Sequence, residues 1–140
     1  MIILDTDHVT VLQFPKNPRC EALVDRLDNA REDVVLSVIT VEEQLRGWLA
    51  KINQAKLPEE QIHPYERLEY LIGFYSQWRI QPYDGLIVGE FKNLKRQKIN
   101  IGTQDLKIAS IALSNNALLL SANLKDFEKV PGLRVENWLE

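Results

Sequence analysis

Cysteine is almost missing from this chain: Cys20 is the only one among 140 residues. No intrachain disulfide can form, and no Cys/His set has the spacing of a zinc site. Long apolar runs are missing too, and none approaches the roughly 20 residues that a membrane-crossing helix needs. Met1 leads into Ile2 and Ile3 with no basic stretch, so no secretory signal is visible. Together these absences make the cytoplasm the expected location. An excess of positive charge is also lacking, since 17 Lys and Arg stand against 20 Asp and Glu. That excludes a protein that holds nucleic acid by bulk positive charge, but not one that meets it through bound cations. Walker A, GxSxG and dinucleotide-binding glycine patterns are absent as well.

What is present is an ordinary globular composition in a length that fits one domain, residues 1–140. Five short aliphatic segments read as strands: Ile2–Leu4, Val34–Val38, Arg79–Gln81, Leu118–Leu120 and Leu133–Val135. Helical spacing of apolar residues fills Pro18–Ala30, Thr40–Ile52, Pro64–Trp78, Tyr83–Arg96 and Thr103–Asn115. Asp84 and Thr103 are predicted N-caps. The polar segment Ala55–His63, which contains Pro58, reads as a helix–helix connection. Alternating strands and helices predict an α/β fold: a mainly parallel central sheet of about five strands with helices on both faces.

In such sheets ligands bind outside the carboxyl ends of the strands. Acidic residues gather at those places in the sequence. Asp5 and Asp7 follow the first strand, and Glu42-Glu43 lies soon after the second. Asp105 opens the last long helix, and Asn123 and Asp126 follow the fourth strand in "SANLKDF". Brought to one edge, these groups repel one another and call for a hard divalent cation such as Mg²⁺ or Mn²⁺. The chemistry that follows is attack of activated water on a phosphodiester. Each residue also has a plainer reading. Glu42, Glu43 and Asp105 fit the first turn of a helix, where the macrodipole favours acids. Asp7 fits a cap on a short following helix, and Asp126 a turn. Asp5 has no such role at a strand end. His8 reads as a packed or capping residue, His63 as exposed and Cys20 as a structural thiol. Trp48, Trp78 and Trp138 read as core or interface residues rather than a base-stacking platform.

Four blocks, in order, resemble those of PIN-domain ribonucleases, and most closely the VapC-type toxins of toxin–antitoxin pairs: "MIILDTDHVTVL", "SVITVEEQLRGWLA", "IGTQDLKIASIAL" and "LLLSANLKDFEKVPGLRVENW". The resemblance runs from Met1 to Trp138. It implies a three-layer α/β/α sandwich and a Mg²⁺- or Mn²⁺-dependent endoribonuclease. Position by position, Asp5 and Asp105 match metal-ligating acids. Glu43, four residues before Gly47, matches the second acid, with Glu42 as the neighbour that confuses the alignment. At the fourth position Ser121 replaces the family's Thr and Asn123 the usual acid, which weakens the ligand set and leaves Asp126 as a substitute. Asp7 matches a supporting position. Arg46, Lys107 and Lys125 are candidate phosphate contacts. The resemblance further implies a homodimer and a cognate antitoxin laid over Thr40–Trp78, a role that an exposed Trp48 would suit.

Two rivals stay open at this point. "IILDTDHVTVL" also fits the DxDx[TV] motif of haloacid-dehalogenase-type phosphatases, with Asp5 as nucleophile and Asp7 as general acid. A degenerate PIN fold that only binds RNA or protein is the other, with Asn123 marking the decay.

Overall fold

The computed structural model describes residues 1–140. Strand β1 (Ile2–Leu4) leads into helices α1 (Thr6–Leu12) and α2 (Pro18–Ala30). Strand β2 (Val34–Ser37) and α3 (Val38–Gln54) follow, then one 3₁₀ turn at Pro58–Gln61 and α4 (Ile62–Tyr75). The chain continues through β3 (Ile80–Gln81), α5 (Gly85–Arg96), α6 (Thr103–Ser114), β4 (Leu118–Leu120), α7 (Leu124–Phe127) and β5 (Arg134–Glu136).

All five strands are parallel, in the order β3-β2-β1-β4-β5. Ile3 pairs in register with Val35 and Leu119, and these three face the same layer as Ile87 and Leu94 of α5 and Leu106 and Ile108 of α6. Their neighbours Ile2, Leu4, Leu36, Leu118 and Leu120 point the other way, onto Val9, Leu23, Leu71 and Tyr75 of α1, α2 and α4. Side chains alternate across a strand, so apolar residues at every position require cover on both faces. The three-layer sandwich is that cover.

Local chemistry sets the helix starts. Asn17 caps α2 by accepting from Arg19 N–H at 2.9 Å, with Pro18 in the first turn, and this helix has the predicted bounds. Asp84 caps α5 as expected, accepting from Leu86 N–H and Ile87 N–H. Thr103 is not a cap: Gly102 holds the cap position without a side-chain bond, and Thr103 is the first helical residue. Helix α3 begins two residues earlier than expected, because Ser37 leaves the strand and accepts from Thr40 N–H at 3.2 Å. The connection Ala55–His63 holds the 3₁₀ turn, and α4 starts inside it at Ile62. Trp48, Trp78 and Trp138 are half-buried against the α1–α2–α4 layer, Cys20 is buried there, and His63 is exposed.

Candidate active site

The chain runs from β1 outward to β2 and β3 on one side, then returns to β4 and β5 on the other. The sheet therefore changes direction between β1 and β4, and the carboxyl ends of these two strands form the crevice where ligands of open α/β sheets bind. Asp5 leaves β1 and Ser121-Ala122-Asn123 leaves β4 at this point.

Asp5 has a local role that the sequence reading denied it. Its backbone is extended (φ −75°, ψ 167°), and its carboxylate caps α1 by accepting from Thr6 N–H at 2.8 Å. Asp7, expected as the cap, sits instead in the first turn. The other Asp5 oxygen accepts from Ser121 Oγ at 2.7 Å. Only 7% of Asp5 is exposed. Burial pushes its carboxyl up to about 7, and the like charges of Asp7 and Asp105 add to the rise against the bonds from Ser121 and Thr6. Asp7 behaves in the opposite way. Burial raises it, but bonds from the His8 ring and from Ala122 N–H (2.8 Å) outweigh that and hold it below the ordinary range.

Glu42 and Glu43 lie in the second turn of α3, beyond the first-turn position where the macrodipole alone would account for them. Their side chains diverge. Glu42 turns outward to Arg46 and accepts from Gln104 Nε2 at 2.8 Å, which keeps its carboxyl low. Glu43 turns toward α1, where one oxygen accepts from Thr6 Oγ1 at 3.2 Å. Its other oxygen is buried with no hydrogen-bond partner. Burial, together with the charges of Asp105 and Glu42, raises the Glu43 carboxyl. Glu43, not Glu42, is the acid turned toward α1 and raised by the charge of Asp105.

Asp105 does lie in the first turn of α6, as read. Burial raises its carboxyl, helped by Asp126 and Asp7. Asn123 Nδ2 spans the two acids, 3.4 Å from Asp105 Oδ2 and 3.1 Å from Asp126 Oδ2. Asp126 is kept low by Asn123 and by Lys129 Nζ at 3.4 Å. The predicted set Asp5, Glu43, Asp105, Asn123 and Asp126 is thus brought to one edge, with Asp126 at its rim.

Two supporting residues, Ser121 and Thr6, carried no role of their own in the sequence, while His8, read as packed or capping, is indeed buried. Ser121 was noted only as a replacement for Thr, but its hydroxyl bonds Asp5 and its Oγ accepts from Asn123 N–H at 3.0 Å. Thr6 steers Glu43, and His8 holds Asp7. Trp48, read as a core or interface residue, is half-buried rather than exposed, edge-on to His63 at 5.6 Å with Arg67 over its ring.

The fit to a divalent cation can be tested on these groups. No three acidic side chains converge into a ready-made cage. The donor set is nevertheless all hard oxygen, three of its acids are raised by burial and further by neighbouring like charges, and one buried Glu43 oxygen lacks any partner. A buried unpartnered carboxylate oxygen is costly, and a cation beside it removes that cost.

No protein-family description matches the chain. Individual proteins do. Ribonuclease VapC2 of Haemophilus influenzae (strain Rd) is 30% identical over 141 residues, covering 98% of this chain and 97% of the relative. The tRNA(fMet)-specific endonuclease VapC of Salmonella typhimurium is 28% identical, covering 97% and 96%. Among solved structures, VapBC-1 from nontypeable Haemophilus influenzae covers all of both chains at 25% identity and a TM-score of 0.72. VapBC2 from Rickettsia felis, bound to promoter DNA, shares the fold at a TM-score of 0.75 and 24% identity, covering 99% of each chain. A relative aligned along nearly its whole length at 30% identity, on a parallel sheet whose switch point gathers Asp5, Glu43 and Asp105, places this chain in the VapC family of PIN-domain ribonucleases.

Proposed function

We propose that the chain is a Mg²⁺- or Mn²⁺-dependent endoribonuclease, the toxin of a toxin–antitoxin pair, with Asp5, Glu43 and Asp105 holding the metal. The observation that carries the metal is the buried, unpartnered oxygen of Glu43 beside acids that crowd one another. When bound, the metal supplies positive charge that acidifies water and stabilises the phosphodiester as charge builds on it. Asp5 and Asp105 would be among the residues that hold the metal. Glu43 binds it or accepts a proton from the attacking water. Asn123, which already spans Asp105 and Asp126, positions water or phosphate, and Asp126 remains its partner in that task. Arg46, Lys107 and Lys125 stand at the rim for the RNA backbone.

The same reading includes a homodimer in the cytoplasm and an antitoxin on the α3–α4 hairpin. No helix is long and apolar enough to cross a membrane. Leu49, Ile62 and Tyr65 of that hairpin are exposed, and a cavity of about 370 Å³ opens beside Trp48 and His63. These are apolar anchors for a partner helix or extended segment. Loss of antitoxin affinity in Trp48→Ala is the expected result, and unchanged affinity would move the partner elsewhere.

The phosphatase reading requires Asp7 free to act as an acid. Instead Asp7 is engaged by His8, Ala122 and Ser121 and held in its charged form. Purified chain incubated with total cellular RNA and Mn²⁺ should give discrete fragments, absent with a chelator and absent in Asp5→Asn. Cleavage that survives both would end the proposal.

A further inference from the structure

We propose that His8 is a positioning residue of the acidic centre, and that it acts by joining the backbone of Trp138 to Asp7 and so to Asp5. The proposal rests on the nuclease reading above.

His8 is fully buried, yet both of its ring nitrogens have partners. Trp138 N–H donates to Nε2 at 3.1 Å. A nitrogen that accepts carries no proton, so the neutral ring bears its proton on Nδ1. Nδ1–H points at Asp7 Oδ1, 2.6 Å away. The second Asp7 oxygen accepts from Ala122 N–H at 2.8 Å and lies 3.4 Å from Ser121 Oγ. Ser121 has one hydroxyl proton, and its nearest acceptor is Asp5 Oδ2 at 2.7 Å. Hydrogen bonds therefore join Trp138 to His8, His8 to Asp7 and Asp7 to the Ala122 amide, and the loop after β4 carries the link one residue along the chain to Ser121, whose hydroxyl binds Asp5.

Trp138 is itself anchored. The Arg26 guanidinium lies over its indole ring at 4.3 Å, and its Nε1–H donates to Glu136 Oε1 at 3.3 Å. Arg19 Nη2 reaches Leu139 O at 3.5 Å. A packed backbone N–H thus dictates which ring nitrogen accepts, and the ring in turn dictates how Asp7 is turned. A residue of similar size without polar atoms would fill the space and leave Asp7 Oδ1 with no donor. Asp7 would then be free to rotate, and Ser121 free to leave Asp5 for it. Groups that orient the ligands of a metal typically change affinity or rate by about 10–100-fold when removed.

The test compares His8→Leu with His8→Asn, whose side-chain N–H stands near the Nδ1 position. On RNA with Mn²⁺, His8→Leu should lower kcat about 10–100-fold with KM within about twofold. Calorimetric titration with Mn²⁺ should show about tenfold weaker binding. His8→Asn should recover most of both. Full activity and Mn²⁺ affinity in His8→Leu would overturn the proposal, as would a loss that His8→Asn fails to recover, which marks a packing role. Nitrogen-15 NMR of the unmodified chain adds a reading that no folding defect can disturb: the proton belongs on Nδ1, and a proton on Nε2 overturns the chain of bonds. If the unmodified chain cuts no RNA, the nuclease reading fails, while the Mn²⁺ titrations still decide the role of His8.

Discussion

The two ends of the parallel sheet treat charge in opposite ways. At the amino ends, each acid has a basic neighbour: the Met1 ammonium meets Glu32 at 2.9 Å, Arg79 reaches Asp33 at 4.0 Å, and Arg134 lowers Glu32 further. These acids are exposed. At the carboxyl ends, Asp5, Asp7, Glu43 and Asp105 stand together with no Lys or Arg among their hydrogen-bond partners. Three of the four are raised by burial and by one another. Paired surface charges contribute little and ask for nothing more. Crowded buried ones cost stability, and it is their crowding at one edge that places the proposed chemistry there.

The largest expected effect sharpens that contrast. Asp5→Asn should reduce RNA cleavage about a thousandfold or more, the scale seen when a member of a catalytic unit is removed. Its melting temperature in chelator should hold or rise, since a repelling charge is gone. Next comes the pair on α3: Glu43→Gln should cost about a hundredfold in rate, and Glu42→Gln less than about threefold, because only Glu43 faces the centre. Equal losses would erase the distinction between the two neighbours.

A pH titration of stability without metal comes third. Asp5 moves from an ordinary 3.8 to about 7 in the folded chain. Between those values the native state holds a proton that the unfolded chain has released, so stability falls as pH rises from about 4 to about 7. The drop attributable to Asp5 is of order 4 kcal/mol at most. Glu43 and Asp105 push in the same direction, and Asp7 in the other, its stabilisation being lost as pH falls through its lowered range. Chemical denaturation across this range checks the sign. Asp5→Asn should flatten the curve, and millimolar Mn²⁺ should raise it most at the neutral end. The smallest effect is at the opposite edge: Glu32→Gln should shift the melting temperature by about a degree or less and leave cleavage unchanged.

Much of this was legible in the residues. β1, β4 and α2 have their predicted bounds, because each is an apolar pattern closed by an unambiguous stop or by the Asn17-Pro18 start. β5 lies one residue later than read, on an edge where alternating exposure blurs the ends. The start of α3 was hidden by Val38, whose branched side chain read as the end of the strand while Ser37 was already capping a helix. That displacement of two residues also made Glu42 and Glu43 look like first-turn acids. Which of them faces inward depends on helical phase, and phase requires the true start. The bond of Ser121 to Asp5 and that of Trp138 to His8 were beyond reach for another reason: each joins residues more than a hundred apart in sequence, and no local spacing encodes such a pair, whereas His8 lies beside Asp7 in the sequence itself.

β1 is the central strand of the sheet, buried on both faces, and Asp5 continues it directly, with its own N–H donating to Leu120 O at 2.9 Å. Amides in such a place exchange with deuterium only when the whole domain opens. Asp5 thus shares the global lifetime of the native state, unlike catalytic groups carried on loops that come and go. A centre of this kind has no disassembled resting form into which the cell can retire it. On the proposed reading, restraint of such a centre has to come from a bound partner rather than from its own unfolding.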